Sequence, residues 1–198
     1  MPGNVGTTAL GCAALEADSD AHLPHVNCAS EPASALPNLR SLRSHTAWTG
    51  WYFAYGSNMN PARMQARGLK VAEALSGRLP GYALCFNKRA VDRPGCAYAN
   101  IRHQRDGLVE GVLYRLAEPD EIAKLDPFEG TPIYYSRERL PILTAQGVQP
   151  AWVYIANPLF RQDGLLPARD YLAHLLAGRE FLSEAYWSAL AAWPFQPD

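Results

Sequence analysis

Three absences narrow the reading of this 198-residue sequence. No C-x-x-C pair occurs: Cys12, Cys28, Cys85 and Cys96 are scattered, so a reducing compartment, the cytoplasm, is the expected location. No apolar run approaches the length needed to cross a bilayer. Neither charge sign dominates. A formal net charge of -1 favours neither nucleic acid nor an anionic membrane as partner.

A fourth absence is local. Residues 1–47 contain no Phe, Trp or Tyr, and their first Lys or Arg is Arg40. Ala, Ser, Pro, Asn and Gly dominate, and no helical or strand periodicity persists, so a flexible tail is expected there. A translation start upstream of the folded part would explain such a stretch equally well. Ala9-Leu10-Gly11-Cys12 has the outline of a lipoprotein cleavage site but lacks a basic leader and a long apolar run. His22, His25 and Cys28 are spaced like metal ligands but lack a fourth.

What is present points to a globular domain over residues 48–198. The whole chain is 48% hydrophobic and 11% aromatic, which excludes a wholly disordered protein, and its length suits one substantial core. The most informative stretch is Tyr52-Phe53-Ala54-Tyr55-Gly56-Ser57-Asn58-Met59. An aromatic strand runs into a turn of small residues, and a helix follows at once: Asn60 can cap it and Pro61 suits its first position. Such a turn exposes backbone N–H groups that can hold an anionic or carbonyl oxygen. The pattern is neither a dinucleotide fingerprint nor a P-loop. It is not a nucleophile elbow either, so Ser57 reads as a binding or structural hydroxyl.

Further elements are expected as follows. Residues 51–55 form a strand, and 61–67 a short helix closed by Gly68. Residues 72–88 form two strands around a Pro80-Gly81 turn, and 97–101 and 108–116 two more. In the last of these, Val109, Gly111, Leu113 and Arg115 share one side and Val112 and Tyr114 the other. Residues 118–125 form an acidic helix that Pro127 helps to end, and 133–143 and 151–156 are strands. Helices over 168–177 and 182–193, parted by Gly178, complete the chain. The fold class is therefore α+β: a small, mixed, mostly antiparallel β-barrel with flanking helices.

One carboxylate stands out. Glu129 lies between Phe128 and Gly130, beside Ile133-Tyr134-Tyr135. Aromatic walls would strip its solvation and raise its pKa, as a general acid/base near neutral pH requires. Asp126 is a rival, although a residue just past a helix more often caps or turns the chain. Arg89, Arg93, Arg102, His103 and Arg105 form a basic patch that reads as a solvated surface.

Taken together, Tyr55-Gly56-Ser57-Asn58-Met59, Leu125-Asp126-Pro127-Phe128-Glu129-Gly130 and Tyr134-Tyr135 resemble the gamma-glutamylcyclotransferase superfamily, with Tyr171, Leu182 and Tyr186 extending the match over about residues 50–190. The resemblance implies a barrel that uses no metal and no cofactor. The loop of Tyr55, Gly56, Ser57, Asn58 and Met59 would embrace the gamma-glutamyl group. Glu129 falls on the catalytic glutamate, Tyr171 on a ligand-contacting tyrosine, and Tyr134 or Tyr135 would line the pocket. The partner implied is a small gamma-glutamyl substrate, and the assembly a monomer or homodimer. The reaction implied is attack of the substrate's own α-amine on its γ-carbonyl, giving 5-oxoproline and a released amino acid or amine. Within the superfamily the substrate could instead be a gamma-glutamylamine, glutathione or a carrier-bound acyl group. The Ala54-Tyr55-Gly56-Ser57-Asn58 form looks less like the glutathione branch, which usually carries leucine after the glycine-serine pair. A non-catalytic barrel binding a metabolite or protein is the reading from another class.

Overall fold

A computed structural model describes residues 50–197. The expected tail, with its Cys12 and His22/His25/Cys28 motifs, lies outside the described residues. Five strands close into a barrel in the order β1-β3-β2-β4-β5. These are β1 (Trp51–Ala54), β2 (Val71–Arg89), β3 (Ala97–Leu116), β4 (Tyr135–Thr144) and β5 (Gly147–Ala156). Every pairing is antiparallel except β1 with β5. The mixed, mostly antiparallel barrel expected from the sequence is the fold observed.

Phe53 explains how the barrel closes. It is fully buried, and its ring occupies the space above two glycines on other strands. A Cβ on Gly77 would come within 2.9 Å of both Phe53 and Ile142, and one on Gly111 within 2.3 Å of the Ala54 carbonyl oxygen. Those positions have no room for a side chain because interiors are packed to crystal density. Val109, Val112, Leu113 and Tyr114 of β3 are all buried. Both faces of this strand are covered, so its alternating pattern does not mark one wet side.

The expected turn at Pro80-Gly81 is not a turn. β2 runs unbroken through Pro80-Gly81, where the pairing with β3 shifts register and Gly81 takes φ 79°. Here the chain absorbs a residue without a donor and a left-handed residue as a bulge, which bends the ribbon rather than ending it. The expected strands 97–101 and 108–116 are accordingly one strand. The acidic segment also differs: Pro119–Lys124 is a 3-10 turn, and Pro127 begins α2 (Asp126–Glu129) instead of ending a helix. Lacking an N–H, Pro127 cannot continue the preceding turn but suits the start of a new one.

Three more helices flank the barrel: α1 (Pro61–Ala66), α3 (Arg169–Leu176) and α4 (Glu184–Ala191). The Asn60 side chain caps α1, accepting from Ala62 N–H at 3.0 Å. Ser183 caps α4 and is anchored by buried Glu110, which accepts from its N–H at 2.7 Å and its hydroxyl at 3.0 Å. Among the described residues no helix is long and apolar enough to cross a membrane.

Candidate active site

The strand-to-helix turn after β1 is held from below. Tyr114 of β3 donates its hydroxyl to the Asn58 carbonyl at 3.0 Å. Met59 and Asn60 donate their N–H groups back to Gly56 and Ser57, closing a 3-10 turn over Ser57–Met59. The first N–H groups of such a turn have no partner within it. Gly56, Ser57 and Asn58 line a narrow cavity of about 30 Å3 together with a ring of tyrosines.

Glu129 enters the same cavity from α2, 71 residues further along the chain. It is the last residue of that helix, and Gly130 ends it with φ 60°. Only glycine fits there: a Cβ at this position would lie 2.3 Å from the Tyr134 ring, in a conformation other residues avoid. Asn157 ties down the next residues, donating its side-chain amide to the carbonyls of Pro132 at 2.8 Å and Ile133 at 2.7 Å.

One carboxylate oxygen of Glu129 accepts from Arg67 Nη1 at 3.0 Å and from Asn58 Nδ2 at 3.1 Å. Asn58 is fully used. Its amide nitrogen also donates to the Tyr52 hydroxyl at 2.7 Å, and its side-chain oxygen accepts from Arg67 at 2.9 Å. The Arg67 and Glu129 side chains are only 10% and 17% exposed, so this is a largely desolvated ion pair. Burial pushes the Glu129 pKa up and is the strongest influence on it; Arg67, followed by the hydrogen bonds from Arg67 and Asn58, pulls it down without cancelling the rise. Arg67 in turn lies against Phe128, 4.6 Å from the ring centre.

The tyrosines differ from the carboxylate in kind. Burial raises Tyr52, Tyr55 and Tyr135 well above the ordinary phenol value, and pushes Tyr171 up to about 12. Near neutral pH they are therefore neutral hydrogen-bonding groups and not bases. Tyr55 donates to the Tyr154 carbonyl and Tyr135 to the Ala99 carbonyl, the latter at 2.9 Å. Tyr171 accepts from Ala99 N–H at 3.1 Å and lies beside the N–H and side chain of Ser57. Among the groups lining the cavity, Glu129 is the one carboxylate.

The cavity opens into an outer cleft of about 470 Å3, within the range of small-molecule sites. Ser57, Glu129, Tyr135 and Tyr171 border both spaces. The structure thus brings Tyr55, Gly56, Ser57, Asn58, Glu129, Tyr135 and Tyr171 to one cavity, with Tyr134 on the outer cleft. Met59 is elsewhere. It is fully buried beneath Gly178, whose Cβ position is 2.9 Å from that of Met59, and it borders neither space. Asp126 borders neither space too; it accepts from Tyr154 at 2.8 Å and pairs with Arg137 at 3.3 Å. Arg102, His103 and Arg105 lie on the β2–β3 ribbon and border neither space, as a solvated patch would.

Sequence reasoning missed Arg67 and Tyr52 as site residues, and passed over Lys88 of the outer cleft. Arg67 follows a helix that ends in a cap position, and nothing local ties it to a glutamate 62 residues away. Tyr52 carried a strand signal and no more.

Residues 52–173 match the family described as gamma-glutamyl cyclotransferase, AIG2-like. Three solved structures share the fold. One titled gamma-glutamyl cyclotransferase is 21% identical, with 75% of this chain and 89% of that one covered and a TM-score of 0.64. The human uncharacterized protein loc79017 is 22% identical, with the same coverage and a TM-score of 0.65. YkqA from Bacillus subtilis is 21% identical, with 80% of this chain and 60% of that one covered and a TM-score of 0.65. No curated protein matches the sequence.

Proposed function

The chain belongs to the gamma-glutamyl cyclotransferase, AIG2-like family, and from that membership we propose that it cyclises a gamma-glutamyl group to 5-oxoproline, releasing an amino acid or amine. The observation that supports this most is the meeting of Glu129, with its raised pKa, and the 56–58 turn in one cavity. The nucleophile is the substrate's own α-amine, so no serine or cysteine pair is required. Ring closure is intramolecular, and a folded substrate held in a reactive conformer gains much of the acceleration from that alone.

Ionised Glu129 takes a proton from the α-ammonium. The freed nitrogen attacks the γ-carbonyl, forming the ring C–N bond. N–H groups of the turn hold the oxyanion that develops. The intermediate collapses as the original amide C–N bond breaks: Glu129 returns the proton to the departing nitrogen, and the ring nitrogen then gives up its second proton to the released amine, leaving the neutral lactam and an ammonium product. Asn58 and Arg67 fix the carboxylate for both transfers.

The test is a panel of gamma-glutamyl amino acids, gamma-glutamylamines and glutathione, with 5-oxoproline and the released amine measured in parallel. Equimolar formation of both from at least one compound is expected; a protein that binds members of the panel and leaves them intact would be a barrel without this activity. Tyr171→Phe is a milder probe. Loss of one hydroxyl typically costs about 0.5–1.5 kcal/mol, so calorimetry is expected to show substrate affinity weakened roughly 2- to 10-fold.

A further inference from the structure

Lys88 is the residue of the outer cleft that the cyclisation chemistry leaves unused. It is 4% exposed, and its ammonium makes no hydrogen bond or ion pair among the described residues. Instead it lies among aromatic rings, 4.5 Å from the centre of Tyr134, 5.4 Å from Tyr98 and 5.9 Å from Tyr135. The stem is buried while the ammonium reaches the wall of the cleft, where the ring faces leave room for an anion. The acids of the cleft, Asp92 and Glu129, favour its charge through space but make no ion pair with it. Asp92 is engaged by the Tyr98 hydroxyl, and Glu129 by Arg67 and Asn58. Arg63, on the same cleft, has a buried Nε with no partner, so the imbalance is of one sign.

Lys88 borders the outer cleft and not the inner cavity. Glu129 borders both, so a substrate whose γ-carbonyl meets Glu129 has the outer cleft, with Lys88 on its wall, open to its departing half. We propose, building on the cyclisation reading above, that Lys88 selects substrates whose departing half carries a carboxylate: gamma-glutamyl amino acids or peptides over gamma-glutamylamines. The carboxylate supplies the anion that the aromatic box leaves out.

Gamma-glutamylalanine and gamma-glutamylethylamine differ by that carboxylate alone and form the probe pair. Their binding is measured by calorimetry on Glu129→Gln protein, in which turnover is expected to be slowed by about 10²–10⁴, and on the Glu129→Gln, Lys88→Met double variant. The expected result is a preference for gamma-glutamylalanine of roughly 10- to 100-fold, the range a hydrogen bond to a charged group supports, falling close to unity in the double variant. Equal affinity for the two compounds would overturn the proposal. So would a Lys88→Met loss of the same size for both, which would place Lys88 against the gamma-glutamyl half. Absence of 5-oxoproline from wild-type protein, with the binding preference intact, would instead count against the cyclisation reading and leave the role of Lys88 standing.

Discussion

Glu129→Gln is expected to lower the rate of 5-oxoproline release by about 10²–10⁴, the usual contribution of a positioned acid/base. The amide keeps the size of the carboxylate, and its oxygen can still accept from Arg67 and Asn58, which bond the native group at 3.0 and 3.1 Å. It cannot take up the proton of the α-ammonium. Substrate binding and the thermal unfolding midpoint are therefore expected to hold while turnover collapses. Loss of binding and turnover together would assign Glu129 a structural part. No other carboxylate lines the cavity: its tyrosines are held neutral by burial, Asp126 borders neither space, and Asp92 borders the outer cleft alone.

Arg67→Met is expected to move the pH dependence of the reaction. Glu129 must be ionised to start the cycle, so kcat/KM rises with pH through its titration in free enzyme. Burial already raises that titration above the ordinary carboxylate value, and Arg67 is the largest influence opposing the rise. Removing the guanidinium favours the neutral acid further. The ascending limb then shifts to higher pH, and each unit of movement costs about tenfold in ionised fraction on its acid side. Activity on the acid side of the limb is expected to fall, with part of it returning as the pH is raised. A residue serving only to pack α1 would lower the rate at every pH and leave the limb in place. Circular dichroism and thermal unfolding of the variant separate this effect from misfolding, since breaking one side of a buried pair is costly in itself.

The site was legible where its signals are local. An aromatic strand, a turn of small residues, the capping Asn60 and the helix-starting Pro61 are neighbours, and each fixes the backbone of the next. Glu129 was legible because Phe128, Gly130 and the following tyrosines advertise desolvation. Arg67 was not, because an ion pair across 62 residues leaves no periodic trace. Lys88 belongs to a strand whose local pattern gives no hint of burial among Tyr98, Tyr134 and Tyr135. The register of Tyr134 and Tyr135 depended on how the chain leaves Gly130, and the structure gives each a place: Tyr135 on the inner cavity, both on the outer cleft. Met59 was misplaced because the turn was treated as a unit, whereas a 3-10 turn directs its successive side chains to different sides. In the fold, the barrel followed from strand count and short connections. The continuous β2–β3 ribbon did not, because Pro80-Gly81 is the signature of a turn as much as of a bulge.

The central claim is that the ring nitrogen of the product comes from the substrate itself. A gamma-glutamyl compound carrying 15N at the α-amine, incubated with the wild-type protein and followed by NMR, tests it directly. Appearance of 5-oxoproline with 15N in the ring, matched by release of the unlabelled amine, is the predicted result. Appearance of 15N-glutamate would show that water and not the α-amine attacks the γ-carbonyl, and would contradict the account.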